Sequence, residues 1–145
     1  MGRILVGIDG SPVSQRALAH AAERARAEKH ELVLLTIVPA QVARSTLTDL
    51  LPAGLALPPE LSRTFEEAAR KRLEEQAGAL AASGVKVLAE VRAGETVDEF
   101  VRAAAELGAT EIVIGHKSYQ PGHVEVGPNA AAISERANVR VTLIP

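Results

Sequence analysis

No cysteine occurs in the 145 residues, which removes disulfides, thiolate nucleophiles and cysteine-based zinc sites from consideration. Aromatic side chains make up 2% of the chain. That is too few for the stacking platforms that bind single-stranded nucleic acid, so the interior must be built from Ala, Val, Leu and Ile. Charge of one sign is never concentrated: sixteen Lys and Arg oppose eighteen Asp and Glu, for a formal net charge of −2. Nothing marks a nucleic-acid or anionic-membrane surface. Apolar runs are short. Met1-Gly2-Arg3 leads straight into one that is too brief for a secretory signal or a membrane span, and the cytoplasm is the expected compartment.

What is present is the balance of one globular domain, with 47% hydrophobic and 23% charged residues. Arg3–Ile8 reads as a strand buried on both faces. Asp9-Gly10-Ser11-Pro12 breaks it, with Ser11 as a helix N-cap and Pro12 at the first helical position. The helix that follows places Leu18, Ala21, Ala22 and Ala25 on one face. Leu32–Val38 is a second apolar strand, stopped by Pro39. Ala40–Pro59 then mixes Leu47, Leu50, Leu51, Leu55 and Leu57 with Pro52, Gly54, Pro58 and Pro59. It reads either as an irregular connection folded onto the body or as a flap over a site or partner contact.

Helical periodicity returns over Glu60–Ser83, with Leu61, Phe65, Ala69, Leu73, Ala77 and Leu80 on one stripe and a mixed-charge outer face. Gly84 suits its C-terminal cap. Val85–Val91 alternates with one face more polar, the pattern of an edge strand. Thr96 with Glu99 forms a capping box for a helix carrying Val97, Phe100, Val101 and Ala104 inward, and Gly108 ends it. Glu111–Ile114 is a fourth strand, Asn129–Ala137 a short helix and Val139–Ile144 a fifth strand. Strands alternating with helices imply a doubly wound parallel α/β sheet covered on both faces, in one domain over residues 1–145. Ligands of such sheets bind beyond the carboxyl ends of the strands, where the winding reverses. The residues at those ends are Asp9, Ile37–Val38, Gly94 and Gly115–Ser118.

The runs ILVGIDGS (Ile4–Ser11), LLTIVP (Leu34–Pro39), Gly94-Glu95-Thr96 and GATEIVIGHKS (Gly108–Ser118), in this order and spacing, resemble the universal stress protein family over nearly the whole chain. The resemblance implies a five-stranded Rossmann-like fold, a stress-response role, and a homodimer formed through the last strand, Val139–Ile144. Members that bind ATP carry a glycine, a second glycine after two residues, a spacer of nine, and a glycine followed by Ser or Thr. Here Gly115 is the first glycine and Ser118 replaces the second. The spacer Tyr119–Val126 is one residue short, Gly127 matches, and Pro128 stands where the hydroxyl belongs. Pro128 offers neither N–H nor hydroxyl; Asn129 and Ser118 can compensate with side-chain donors, and Lys117 loosely matches a basic variant of the loop. By the same resemblance Asp9 corresponds to the acidic residue near ribose and Mg²⁺, and Ile37 to the position whose backbone meets adenine.

Each residue also has a plainer reading. Asp9 before Gly10 is a good turn former, Gly115 can serve only the exit from its strand, and His20 and His30 fit solvent-facing positions. His116 and His123 lack a carboxylate at ligand spacing. Catalysis finds little support: there is no nucleophile elbow, no Walker A and no G-x-G-x-x-G, and a nucleotide-dependent enzyme is the third and weakest reading. Val91-Arg92-Ala93 occupies the place where a receiver domain needs its phosphorylatable Asp. The expectation is an adenine-nucleotide-binding stress protein, taking ATP with or without Mg²⁺ and hydrolysing it slowly or not at all. The alternative is a dimeric family member that binds no nucleotide and works through protein partners.

Overall fold

Five apolar runs line up as parallel strands, because each is flanked by helices that cover both faces of the sheet it joins. The computed structural model describes residues 2–39, 59–116 and 128–145, with side chains for all but 39, 59–64 and 128. The strands are β1 (Arg3–Gly7), β2 (Glu31–Pro39), β3 (Val87–Gly94), β4 (Glu111–Gly115) and β5 (Arg140–Ile144). The helices are α1 (Pro12–Glu28), α2 (Pro59–Ala81), α3 (Thr96–Glu106) and α4 (Pro128–Arg136). The sheet order is β3-β2-β1-β4-β5, and every pair is parallel. From β1 the chain winds outward to β3, then returns to build β4 and β5 on the other side. The winding reverses between β1 and β4.

Two apolar layers follow from strand alternation. Ile4, Val6, Leu32, Leu34 and Val113 face α1 and α2 and meet Ala17, Ala21, Ala25 and Leu73. Leu5, Val33, Leu35, Ile112 and Ile114 face α3 and α4 and meet Phe100, Ala103, Ala130 and Ile133. The apolar middles of the central strands, Ile4–Val6, Leu32–Leu35 and Ile112–Ile114, are therefore buried on both faces. Alanine-rich helix faces let α1 lie close on the sheet without aromatic filler.

Ser11 caps α1 by accepting the Ser14 N–H at 3.2 Å, with Pro12 opening the helix. The cap of α3 differs from the expected box. Glu95, not Thr96, is the N-cap, and its carboxylate accepts the Asp98 N–H at 2.6 Å. Glu99 instead meets Arg102 at 2.8 Å, because a carboxylate one residue earlier reaches the free N–H groups first. Strand β3 starts later than Val85 and runs to Gly94, since its partner β2 pairs from Leu32↔Val87 to Pro39↔Gly94; Val85 is buried in the core ahead of it. Phe65 was placed on the buried stripe but is 44% exposed, whereas Ala69 and Leu73 are covered. Among the stripe residues whose side chains are described, the covered ones start at Ala69. Residues 40–58, where either a folded connection or a flap was expected, lie outside the described residues.

Candidate functional site

A cleft of about 140 Å³ opens beyond the carboxyl ends of β1, β2 and β4. It sits at the reversal between β1 and β4, the place where a doubly wound sheet leaves a crevice. Leu35, Ile37, Phe100, Ile114 and Ile133 supply apolar walls, and Asp9, Ser14, Thr96 and Asn129 supply polar groups. Four of the residues expected from sequence therefore converge: Asp9, Ile37, Gly115 and Asn129 all line it. Pro128 opens α4 beside Asn129. Lys117, Ser118 and Gly127 lie outside the described residues, as does His123.

Asp9 is exposed, and its Oδ1 accepts the Ser11 N–H at 2.9 Å and the Ser11 hydroxyl. It thus forms the local turn that its neighbour Gly10, at φ +82°, completes. The turn role and a place on the cleft wall coexist. Gly115 is constrained by space rather than by turn geometry. A Cβ there would stand 2.7 Å from Val13 Cγ2 and 2.9 Å from the Val13 carbonyl oxygen. Gly7 has a similar reason, since a Cβ would lie 2.9 Å from Phe100 Cε2. The two glycines let α1 and Phe100 close on the sheet and shape the cleft floor.

Sequence reading missed Ser14, Thr96 and Phe100 as cleft residues. Ser14 is buried, with its hydroxyl donating to the Ser11 carbonyl at 3.0 Å. Its signal was only the position one turn into a helix that starts at a strand end. His30, expected in solvent, is half-buried: its Nδ1 accepts the Gly2 N–H at 2.7 Å and its Nε2 lies 2.8 Å from Glu28. His116 is buried at the end of β4, and among the described residues its Nδ1 has no hydrogen-bond partner. Among the described residues no group of three or more His, Asp or Glu side chains could hold a metal ion. Mg²⁺ commonly takes one or two carboxylates together with substrate phosphates. Asp9 could supply one carboxylate to such a cation, which would have to arrive with a nucleotide.

Fold and crevice together define a doubly wound α/β protein with a cleft at its switch point. A family model described as the universal stress protein family matches residues 1–145, and the chain belongs to that family. Among solved structures it is similar to universal stress protein UspA from Lactobacillus plantarum, at 21% identity and a TM-score of 0.76, covering 99% of this chain and 97% of that one. A universal stress protein from Archaeoglobus fulgidus in complex with dAMP matches at 22% identity and a TM-score of 0.68, over 100% and 98% of the two chains. A universal stress protein in complex with cAMP matches at 21% identity and a TM-score of 0.64, over 98% and 94%. No curated protein sequence matches. Among the described residues no helix is long and apolar enough to cross a membrane.

Proposed function

We propose that this chain is a stress-response protein that binds an adenine nucleotide in the β1–β4 cleft and hydrolyses it slowly or not at all. The observation that carries the reading is the convergence of Asp9, Ile37, Gly115 and Asn129 on one crevice at the sheet's reversal. An apolar slot beside Ile37 suits a base, and the Asp9 carboxylate suits a ribose hydroxyl or a nucleotide-borne Mg²⁺. Relatives of the same fold bind dAMP and cAMP, which supports an adenine ligand; ATP is the form that the sequence resemblance implies.

The test is calorimetric titration of nucleotide-free protein with adenine and non-adenine nucleotides, repeated on Ile37→Asp. We expect saturable one-site binding that favours adenine and is lost in the variant at a temperature where circular dichroism shows it still folded, because a carboxylate beside the apolar cluster also lowers the melting temperature. Unchanged affinity in Ile37→Asp would place the nucleotide elsewhere.

A second reading, a homodimer acting through protein partners, is favoured by β5. This strand lies at one edge of the sheet, and its Val141, Leu143 and Ile144 are only half-buried. An apolar strand with an unpaired edge is a liability unless another chain covers it.

A further inference from the structure

One phenyl ring closes the apolar end of the cleft. Of the described side chains, Phe65 and Phe100 carry such rings, and of the two only Phe100 is buried. It is also the largest side chain among the described residues that line the cleft. Phe100 reaches from α3 to the end of β1, where a Cβ on Gly7 would lie 2.9 Å from its Cε2 and 3.4 Å from its Cζ. The ring edge therefore abuts the backbone of a strand paired on both sides, by β2 and by β4. Such a wall yields little, because interiors are close-packed.

Phe100 belongs at once to the cleft lining and to the apolar layer under α3 and α4. It stands between the open space and the core behind it. The cleft volume, about 140 Å³, is close to the ~150 Å³ of an apolar cavity that takes up a single benzene molecule. A planar base fills a space of that order. A bulky group on its inner edge has no room unless the ring gives way, and forcing extra carbon into a packed wall is costly.

We propose that Phe100 sets the depth of the base slot and makes the site selective for purine bases without bulky substituents. This rests on the adenine-nucleotide reading of the same cleft and adds to it the residue that limits base size. Adenine lies against the ring, whereas adenine extended inward by a benzyl group is excluded. Removing the ring opens an apolar pocket, and pockets of that kind stay dry and take apolar guests.

The experiment titrates nucleotide-free protein calorimetrically with ATP and with ATP analogues benzylated at N6, C2 or C8 of the base. All four ligands carry the same triphosphate, so its contacts cancel in the ratio of an analogue's Kd to that of ATP. In the parent we expect at least one analogue to bind about tenfold or more weakly than ATP, a discrimination within reach of a hydrophobic pocket. Phe100→Ala should raise the relative affinity of that analogue by about tenfold or more. Phe100→Leu, a milder truncation, should move the same ratio in the same direction, and it decides the matter if circular dichroism shows Phe100→Ala unfolded. Leu73→Ala opens a void in the other apolar layer and should leave the ratio at its parental value. A parent that binds all four ligands alike, ratios that stay put in the Phe100 variants, or an equal shift in Leu73→Ala would each overturn the inference while leaving nucleotide binding intact. A parent that binds none of the four would overturn the nucleotide reading and this inference with it.

Discussion

Individual residues here are chosen by how closely backbones approach. Gly115 has no Cβ because α1 begins against it, 2.9 Å from where that Cβ would meet the Val13 carbonyl oxygen. Gly115→Ala should therefore cost about 1–3 kcal/mol, the usual range for overpacking, and urea denaturation would measure it; an unchanged midpoint would mean that α1 can slide outward freely. Lys29 ends α1 in the left-handed region at φ 58°, a conformation that costs a residue with a Cβ roughly 1–2 kcal/mol. Lys29→Gly relieves that strain but loosens the unfolded chain, so a gain of about 0.5–1 kcal/mol in the same assay is expected. A loss would show that the Lys29 side chain contributes more than the strain removes. The reason for Gly115 was invisible in the sequence: the spacing showed a strand exit there but not the helix lying over it.

Between elements, one buried ion pair fixes how α1 sits on β4. Arg24 reaches Glu111, whose side chain is 6% exposed, and Thr142 of β5 donates to the same carboxylate at 3.1 Å. The hydrogen bond to Glu111 is the main cause that holds the Arg24 guanidinium above its ordinary value. Removing one partner of such a pair strands a buried charge. Arg24→Ala should lose about 3 kcal/mol or more, and Arg24→Leu combined with Glu111→Leu should recover most of it; an equal loss in the double variant would show that packing, not charge, is at stake. At the same end of the sheet Glu31 of β2 ties neighbouring elements together. It accepts from Lys86 at 2.8 Å and from Arg3 at 2.6 Å, and those hydrogen bonds lower its pKa from 4.5, Lys86 contributing most. Asp98 of α3 is likewise lowered from 3.8, first by its hydrogen bond to Arg136 of α4. For both groups the folded pKa lies below the unfolded one. Their contribution is present above the unfolded value and is lost as pH falls through the folded one. Thermal unfolding should therefore show stability declining below about pH 4.5, and Glu31→Gln should flatten that decline.

For the whole molecule, the crevice opens where the winding reverses between β1 and β4, and β3 and β5 form the two edges of the sheet. Edge β3 carries the charged pair Glu90 and Arg92, 3.0 Å apart, which discourages strand addition. Edge β5 is apolar, and sedimentation at micromolar concentration should give a dimer mass; a monomer would remove the reason for its composition. The order of elements, the two-sided burial of the central strands and the Ser11-Pro12 helix start were legible in the chain, because apolar periodicity and capping chemistry act over a few residues. Membership of the universal stress protein family was legible too, since its motifs lie on those same strand ends. What the sequence could not place was anything set by distant neighbours. The extent of β3 follows its pairing with β2, Phe65 is exposed while Ala69 and Leu73 further along its stripe are covered, and the α3 cap is Glu95, whose carboxylate accepts the Asp98 N–H. The sequence alone determined which segments would become strands and helices. Only the tertiary structure decided that Asp9, Ile37, Gly115 and Asn129, up to 120 positions apart in the chain, share one cleft, because only the parallel winding brings the carboxyl ends of β1, β2 and β4 side by side.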